Sequence, residues 1–412
     1  MDLHYTPVGL PLYVMVKPVS STCNLNCSYC YYLEKGRIYS GREDKQMSEF
    51  LLERFIRDYI ELQSSPEILF TWHGGEPLLR GLDFFKKSIG FQRFYARNKY
   101  VNISNSLQTN GILLTDEWCE FFAKNNFLIG ISLDGPEHCH DRYRKNYADS
   151  GTYEKVIKGI RLLQSHGVEF NILSVVNDYN VNYPVEIYRH FKELDCHYIQ
   201  FTPVVERLAV DILPEEMKLM PPGQKEKYKL AEWNVDPLSY GIFLTEIFKE
   251  WVKKDVSEYY VINFDSILAN WIGQSPSTCT HARICGHAMV MEYNGDVFAC
   301  DHFVFPEYKQ GNILTKSLLQ ILHSNEQVQF GKDKYTTLPE ICVNCEYLFA
   351  CNGGCPKDRI IETCQKDKNL NYLCPGLKYY FKSVTPYMDF MSNELRNNRP
   401  PANVKNWISK LK

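Results

Sequence analysis

Several absences narrow this chain before any motif is considered. Positive charge is not in surplus. The formal net charge is −3, which argues against a general nucleic-acid binder, whose surface is strongly basic. No uninterrupted apolar run approaches the roughly 20 residues of a membrane-spanning helix. The opening MDLHYTPVGLPLYVMVKP has no basic segment leading into a sustained apolar run, so no secretion signal is read there. A cytoplasmic protein with no nucleic-acid or membrane partner is expected. One local absence matters more. In STCNLNCSYCYYLEKG, Cys23, Cys27 and Cys30 stand as C-x3-C-x2-C, and no fourth cysteine follows until Cys119.

The chain is long enough, at 412 residues, to bury a large core and hold two domains. It carries 15 cysteines, many for a compartment where disulfides rarely persist, so metal or redox chemistry is the better reading. Tyrosine and phenylalanine are abundant and are read mainly as packing.

Six apolar runs predict strands at 12–18, 67–73, 101–109, 128–134, 168–176 and 197–203. Between them lie helical patterns such as MSEFLLERFIRDYIELQ, with Ser48 as N-cap, and TYEKVIKGIRLLQSHG, closed by a glycine. Alternating strands and helices imply βα units on a parallel sheet, either a partial barrel or an open doubly wound sheet. The unusual residues all follow strands: the three cysteines after the first, GGEP (74–77) after the second, QTNG (108–111) at the third and SLDGP (132–136) at the fourth. Parallel α/β folds gather their chemistry on that edge. Residues 206–240 read as a linker or insertion. Phe243, Ile247 and Trp251 then recur at helical spacing and are read as core. From Cys279 onward cysteines dominate, as in a second, metal-held domain. The boundaries expected are 1–240, 241–385 and a tail, 386–412, to which no role is assigned.

Three thiolates on a four-iron cubane leave one iron open to a small molecule. A zinc site completed by His4 or a distant cysteine is the alternative. With Tyr29 before the last cysteine and GGEP one βα unit later, the loop resembles the radical S-adenosylmethionine (SAM) superfamily. The fold this implies is a partial (β/α)6 barrel. The open iron would hold SAM and pass it one electron, generating a 5′-deoxyadenosyl radical. Gly74 and Gly75 would let backbone approach the SAM amino group, with Glu76 anionic beside a cationic ligand. Ser132, Arg144 and Val205 match positions that contact SAM's ribose, carboxylate and adenine. His73 is given no role.

Cys279, Cys285 and Cys300, then Cys342, Cys345, Cys351 and Cys355, then Cys374 resemble the SPASM extension, which carries two auxiliary four-iron clusters. The resemblance implies Cys279, Cys285, Cys300 and Cys355 for the first and Cys342, Cys345, Cys351 and Cys374 for the second; a pair of zinc ribbons is the alternative. NGDVFAC is read as a hairpin presenting Cys300. Cys119, Cys139, Cys196 and Cys364 are left over as free buried thiols.

NSLQTNG, GISLDGP, EFNIL and ACD followed by an aromatic are together similar to the anaerobic sulfatase-maturating enzymes, over about residues 12–380. The resemblance implies Asp301 as general base and oxidation of a Cys or Ser side chain in an unfolded sulfatase to Cα-formylglycine. The target would be a Cys/Ser-x-Pro-x-Arg type segment, with a flavodoxin or ferredoxin-type reductant. The alternatives are a SPASM enzyme that crosslinks peptides, less favoured because little chain precedes the first strand, and a multi-cluster electron carrier. The carrier explains neither the open three-cysteine loop nor GGEP.

Overall fold

Six parallel strands, β1 (Tyr13–Lys17), β2 (Glu67–Trp72), β3 (Asn102–Thr109), β4 (Phe127–Ser132), β5 (Phe170–Val176) and β6 (Tyr198–Pro203), form the centre of the molecule. The structure is a computed structural model and describes residues 12–39, 45–210, 213, 216, 218–224, 226–364 and 368–410. His4 lies outside the described residues, as do parts of the expected 206–240 insertion.

Each strand is followed by a covering helix or turn. Helix α1 (Glu49–Leu62) buries Leu51, Leu52, Phe55, Ile56, Tyr59 and Ile60, a single face at helical spacing. Ser48 caps it by accepting from the Leu51 amide at 3.2 Å, worth about 1 kcal/mol. Helices α2 (Leu82–Ala96), α3 (Asp116–Lys124), α4 (Glu137–His140), α5 (Tyr153–Ser165) and α6 (Pro184–Glu193) complete the outer layer. Gly167, after α5, takes φ +64°, the left-handed turn that a side chain would resist.

The two faces of the sheet differ. On the outer face Trp72 packs edge-on against Phe85 of α2 and donates its ring N–H to Asn105 at 2.9 Å. The neighbouring register positions Thr71 and Ser106 hydrogen-bond at 3.0 Å, and Gln108 donates to Ser132 at 3.0 Å. Polar side chains therefore line the concave side. A barrel filled only for stability would carry branched apolar residues there.

The expected insertion contains a two-stranded ribbon, β7 (Arg207–Ala209) with β8 (Tyr228–Leu230). Helix α7 (Pro237–Lys254) starts inside the span assigned to it, and a short strand, β9 (Tyr260–Val261), pairs with β6 ahead of helix α8 (Ile262–Trp271). At the opposite edge β10 (Ala288–Glu292) pairs parallel with β1. It turns back through β11 (Asp296–Phe298), and β12 (Lys309–Asn312) completes a ten-stranded sheet. NGDVFAC does form part of a hairpin, with Cys300 two residues beyond β11. The long helix Cys374–Arg396 crosses the expected boundary at 386 without a break. Its buried stripe, Tyr380, Phe381, Val384, Met388 and Met391, keeps packing through Pro386. Among the described residues no helix is long and apolar enough to cross a membrane.

Candidate functional site

The three-cysteine loop is braced by the GGEP turn. The Gly75 amide donates to the Ser20 carbonyl at 2.7 Å and the Glu76 amide to the Thr22 carbonyl at 2.8 Å. A Cβ on Gly75 would stand 2.1 Å from the Thr22 oxygen, closer than atoms can approach. In this chain the glycine is demanded by contact with the cysteine loop itself. Gly74, at φ +148°, is the second residue a side chain would strain.

Glu76 is fully buried and lies beneath the loop. It accepts from the Leu78 amide at 3.0 Å, from the Asn110 amide at 2.9 Å and from Thr109 Oγ1 at 2.9 Å. Burial lifts its carboxyl to about 7, against these donors and Arg144, which pull it down. It ties the ends of β2 and β3 together. Asn110 also reaches Asn24 at 2.8 Å and Cys23 Sγ at 3.8 Å.

Behind the loop Tyr29 is 6% exposed. Its hydroxyl donates to Asp134 and accepts from Arg144 Nη1 at 2.9 Å. Among the described residues Arg144 Nε is buried without a partner. Ser132 stands at the end of β4, and Val205 is buried after β6, its carbonyl accepting from Lys357 Nζ at 2.7 Å.

A second knot joins β1, the cysteine loop and the far cysteine-rich region. Lys17, wholly buried at the end of β1, pairs with Asp301 at 2.7 Å. Its ammonium also lies 3.1 Å from His73 Nδ1 and 3.9 Å from the centre of the Tyr32 ring. The other Asp301 oxygen accepts from Tyr31. Tyr31 follows Cys30 and Asp301 follows Cys300, so this bond links the two cysteine-bearing segments. Burial alone would raise the Asp301 carboxyl, but Lys17 foremost, then His73 and His302, bring it well below the usual carboxylate range. His73 Nδ1 accepts from the Gly74 amide at 2.8 Å. Burial, followed by the Lys17 charge, lowers its imidazole to about 4, so it stays neutral.

All cysteines are free among the described residues. Cys23, Cys27 and Cys30 interact electrostatically with one another. Cys300 does so with Cys279, Cys355 and Cys285. Cys351 does so with Cys374, Cys342 and Cys345. Burial pushes Cys23 up to about 12, Cys27 to about 11 and Cys285 to about 11. A cation opposes that rise in each group: buried Arg144 at Cys27, buried Lys334 at Cys285 and half-buried Arg359 at Cys342. Among the described residues no three His, Cys, Asp or Glu side chains converge on one metal ion. Soft donors spread around a space, each group with a cation beside it, suit multi-iron clusters of net negative charge better than single zinc ions. Cys119, Cys139 and Cys196 are buried; Cys364 is exposed, against the expectation of a buried thiol.

The Radical SAM superfamily pattern matches residues 18–191, and that of an iron-sulfur cluster-binding domain, SPASM, matches residues 279–346. A serine-type anaerobic sulfatase-maturating enzyme from Bacteroides thetaiotaomicron is 53% identical over 97% of this chain and 96% of its own length. The chain belongs to the anaerobic sulfatase-maturating enzymes. A cysteine-type sulfatase-maturating enzyme from Clostridium perfringens is 31% identical over 94% of this chain and 100% of its own. The solved structure of native anSMEcpe with bound AdoMet and Kp18Cys peptide superposes with a TM-score of 0.80 at 31% identity, covering 93% of this chain and 99% of that one.

As a sulfatase-maturating enzyme the chain is a radical SAM oxidoreductase that uses SAM and iron-sulfur clusters and acts on a peptide. Its geometry brings the three-cysteine loop, Tyr29, Gly74, Gly75, Glu76 and Arg144 into one contiguous region, with Ser132 at the neighbouring strand end. Val205 lines a cleft shared with Tyr31 and is bonded by Lys357 of the cysteine-rich region. Sequence reasoning passed over Lys17 and Tyr31, and marked Asn110 only as part of QTNG. Lys17 was visible only as a lysine closing an apolar strand, YVMVK, and Tyr31 as one of two tyrosines after Cys30.

Proposed function

We propose that this enzyme oxidises a serine side chain of an unfolded sulfatase to Cα-formylglycine, with Asp301 taking the hydroxyl proton. The reading rests foremost on the Tyr31–Asp301–Lys17 knot, which sets an anionic carboxylate between the two cysteine-bearing segments. The serine preference is supported by the likeness to the serine-type relative at 53% identity, against 31% for a cysteine-type one. The target segment is of the Cys/Ser-x-Pro-x-Arg type, the reductant a flavodoxin or ferredoxin, and the setting the cytoplasm.

When bound, SAM and its three-cysteine cluster supply abstraction of one Cβ hydrogen, and the two auxiliary clusters accept the remaining electron. Cys23, Cys27 and Cys30 would hold the first cluster. Cys279, Cys285, Cys300 and Cys355 would hold one auxiliary cluster, and Cys342, Cys345, Cys351 and Cys374 the other. Tyr29, Gly74, Gly75, Glu76, Ser132, Arg144 and Val205 would bind or shape the site for SAM. Asp301 is held ionised by Lys17 and fixed by Tyr31, so it acts through position more than through basic strength. Loss of the hydroxyl proton, one hydrogen atom and one electron converts the CH2OH group to an aldehyde.

Anaerobic incubation with SAM, a low-potential reductant and paired Ser- and Cys-motif peptides, read by mass spectrometry, tests this. The serine peptide is expected to lose two hydrogens. Asp301→Asn should lower that conversion by about 10²–10⁴-fold while SAM is still cleaved. Full conversion by the variant would sink the assignment of Asp301.

A further inference from the structure

A narrow cleft, partly open to solvent, lies between the cysteine loop, the segment after β6 and the cysteine-rich region. Tyr31 and His302 reach it, so it adjoins the carboxylate of Asp301 between them. Three cationic side chains line it: Lys35, Arg207 and Lys357. Two are committed. Lys357 donates to the Val205 carbonyl at 2.7 Å and pairs with Asp358 at 2.7 Å and Glu206 at 3.5 Å. Arg207 donates to the carbonyls of Pro221 at 2.9 Å and Gln224 at 3.1 Å. Lys35 is different. It is 1% exposed, its Nζ rests 3.0 Å from the centre of the Phe305 ring, and among the described residues it has no hydrogen-bond acceptor.

We propose that this cleft is a peptide subsite in which the Lys35 ammonium donates to a main-chain carbonyl of the substrate, beside the residue being oxidised. The inference rests on the peptide-oxidising reading above. A buried ammonium whose three donors find no hydrogen-bond acceptor is costly unless one arrives, even with the Glu206 and Asp301 carboxylates acting on it at longer range. Burial, opposed by Glu206 and Asp301, brings its pKa down to about 7, the state of a cation short of partners. The occupant is an oxygen acceptor, because Lys35 offers free donors and the lining sets three cations, Lys35, Arg207 and Lys357, against the one carboxylate of Glu206. An extended peptide presents such an oxygen at every residue, and a proline next to the target keeps its carbonyl while lacking an N–H.

Lys35→Met keeps the side chain's length and apolar stem and removes its donors. The KM for a serine-motif peptide should rise roughly ten- to hundredfold, the loss of a hydrogen bond to a charged group. Saturated kcat should change far less, and iron content per chain should match the wild type. Peptides carrying a single thioamide, a weaker acceptor, are then scanned through the flanking positions by fluorescence anisotropy. One position should weaken binding to the wild type and leave binding to the variant unaffected. Equal KM and equal affinity in both proteins would overturn the subsite. If the variant loses iron, the wild-type scan decides alone, and a scan with no sensitive position refutes the proposal. Affinity is read without turnover, so a peptide that binds yet stays unoxidised counts against the oxidation reading and leaves the subsite standing.

Discussion

Lys17 is the residue on which most of the site's electrostatics turn. Its ammonium meets Asp301, His73 and the Tyr32 ring at once, and Tyr32 in turn donates to Glu292, the register partner of Lys17 on β10. Lys17→Met leaves the Asp301 carboxylate without its cation in a largely dry setting. A loss of about 3–5 kcal/mol is expected from breaking such a pair, seen as an earlier thermal transition, with peptide oxidation reduced more than SAM cleavage. Equal losses in both reactions would mean that Lys17 supports the fold alone. Gly75 is constrained by contact, since a methyl group there meets the Thr22 carbonyl at 2.1 Å. Gly75→Ala should displace the cysteine loop and lower iron content, measured by iron analysis of the reconstituted protein. Asp301 could be named only through the family resemblance of its surroundings, ACD followed by an aromatic. Lys17 could not, because its partner lies 284 residues away, as the difference of the two numbers shows.

At the scale of elements, strands and helices were largely legible. The six barrel strands fall within two residues of the sequence-based bounds, because short β-rich runs between glycine, proline and polar turns carry strong local signals. The long terminal helix was not. The turn signals of the polar NNRPPANV stretch suggested a boundary at 386, but the buried stripe of Cys374–Arg396 runs on past that point, outweighing the hydrogen bond that Pro386 removes. That helix crosses α7 at backbone contact. A Cβ on Gly241 would sit 2.1 Å from the Gly376 oxygen, and one on Gly376 1.7 Å from the Pro237 oxygen. Gly241→Ala must push the two helices apart, at a cost of about 1–3 kcal/mol or more. Because Gly376 follows Cys374 by two residues, the shift should also reach the cysteine. Calorimetry and iron content should fall together; a lower melting temperature with full iron would show that the crossing is independent of that cysteine group.

For the whole molecule, the two cysteine-rich regions are one structure. Strand β10 extends the barrel sheet beside β1 and carries the hairpin that leads to Cys300. Removing iron should thus destabilise the barrel as well as the second region, giving a single lowered transition in scanning calorimetry. Two transitions, with the barrel's unchanged, would contradict that coupling. Reloading should depend on pH with a definite sign. The iron-free thiols of Cys27 and Cys285 are raised to about 11 by burial, so they are protonated near neutrality and must release protons to bind iron. Iron uptake should therefore improve from about pH 7 to about pH 8.5, followed by absorbance during reconstitution.

By itself the sequence determined the chemistry: three soft ligands without a fourth, a glycine pair one βα unit later, and eight further cysteines at cluster-forming intervals. These are short-range facts, carried by spacing along the chain. Only the tertiary structure decided which charges accompany them. Lys17 beside Asp301, Arg144 beside Cys27, Lys334 beside Cys285 and Lys35 over Phe305 come from segments far apart in sequence. Charge interactions act through space and desolvation, neither of which spacing records.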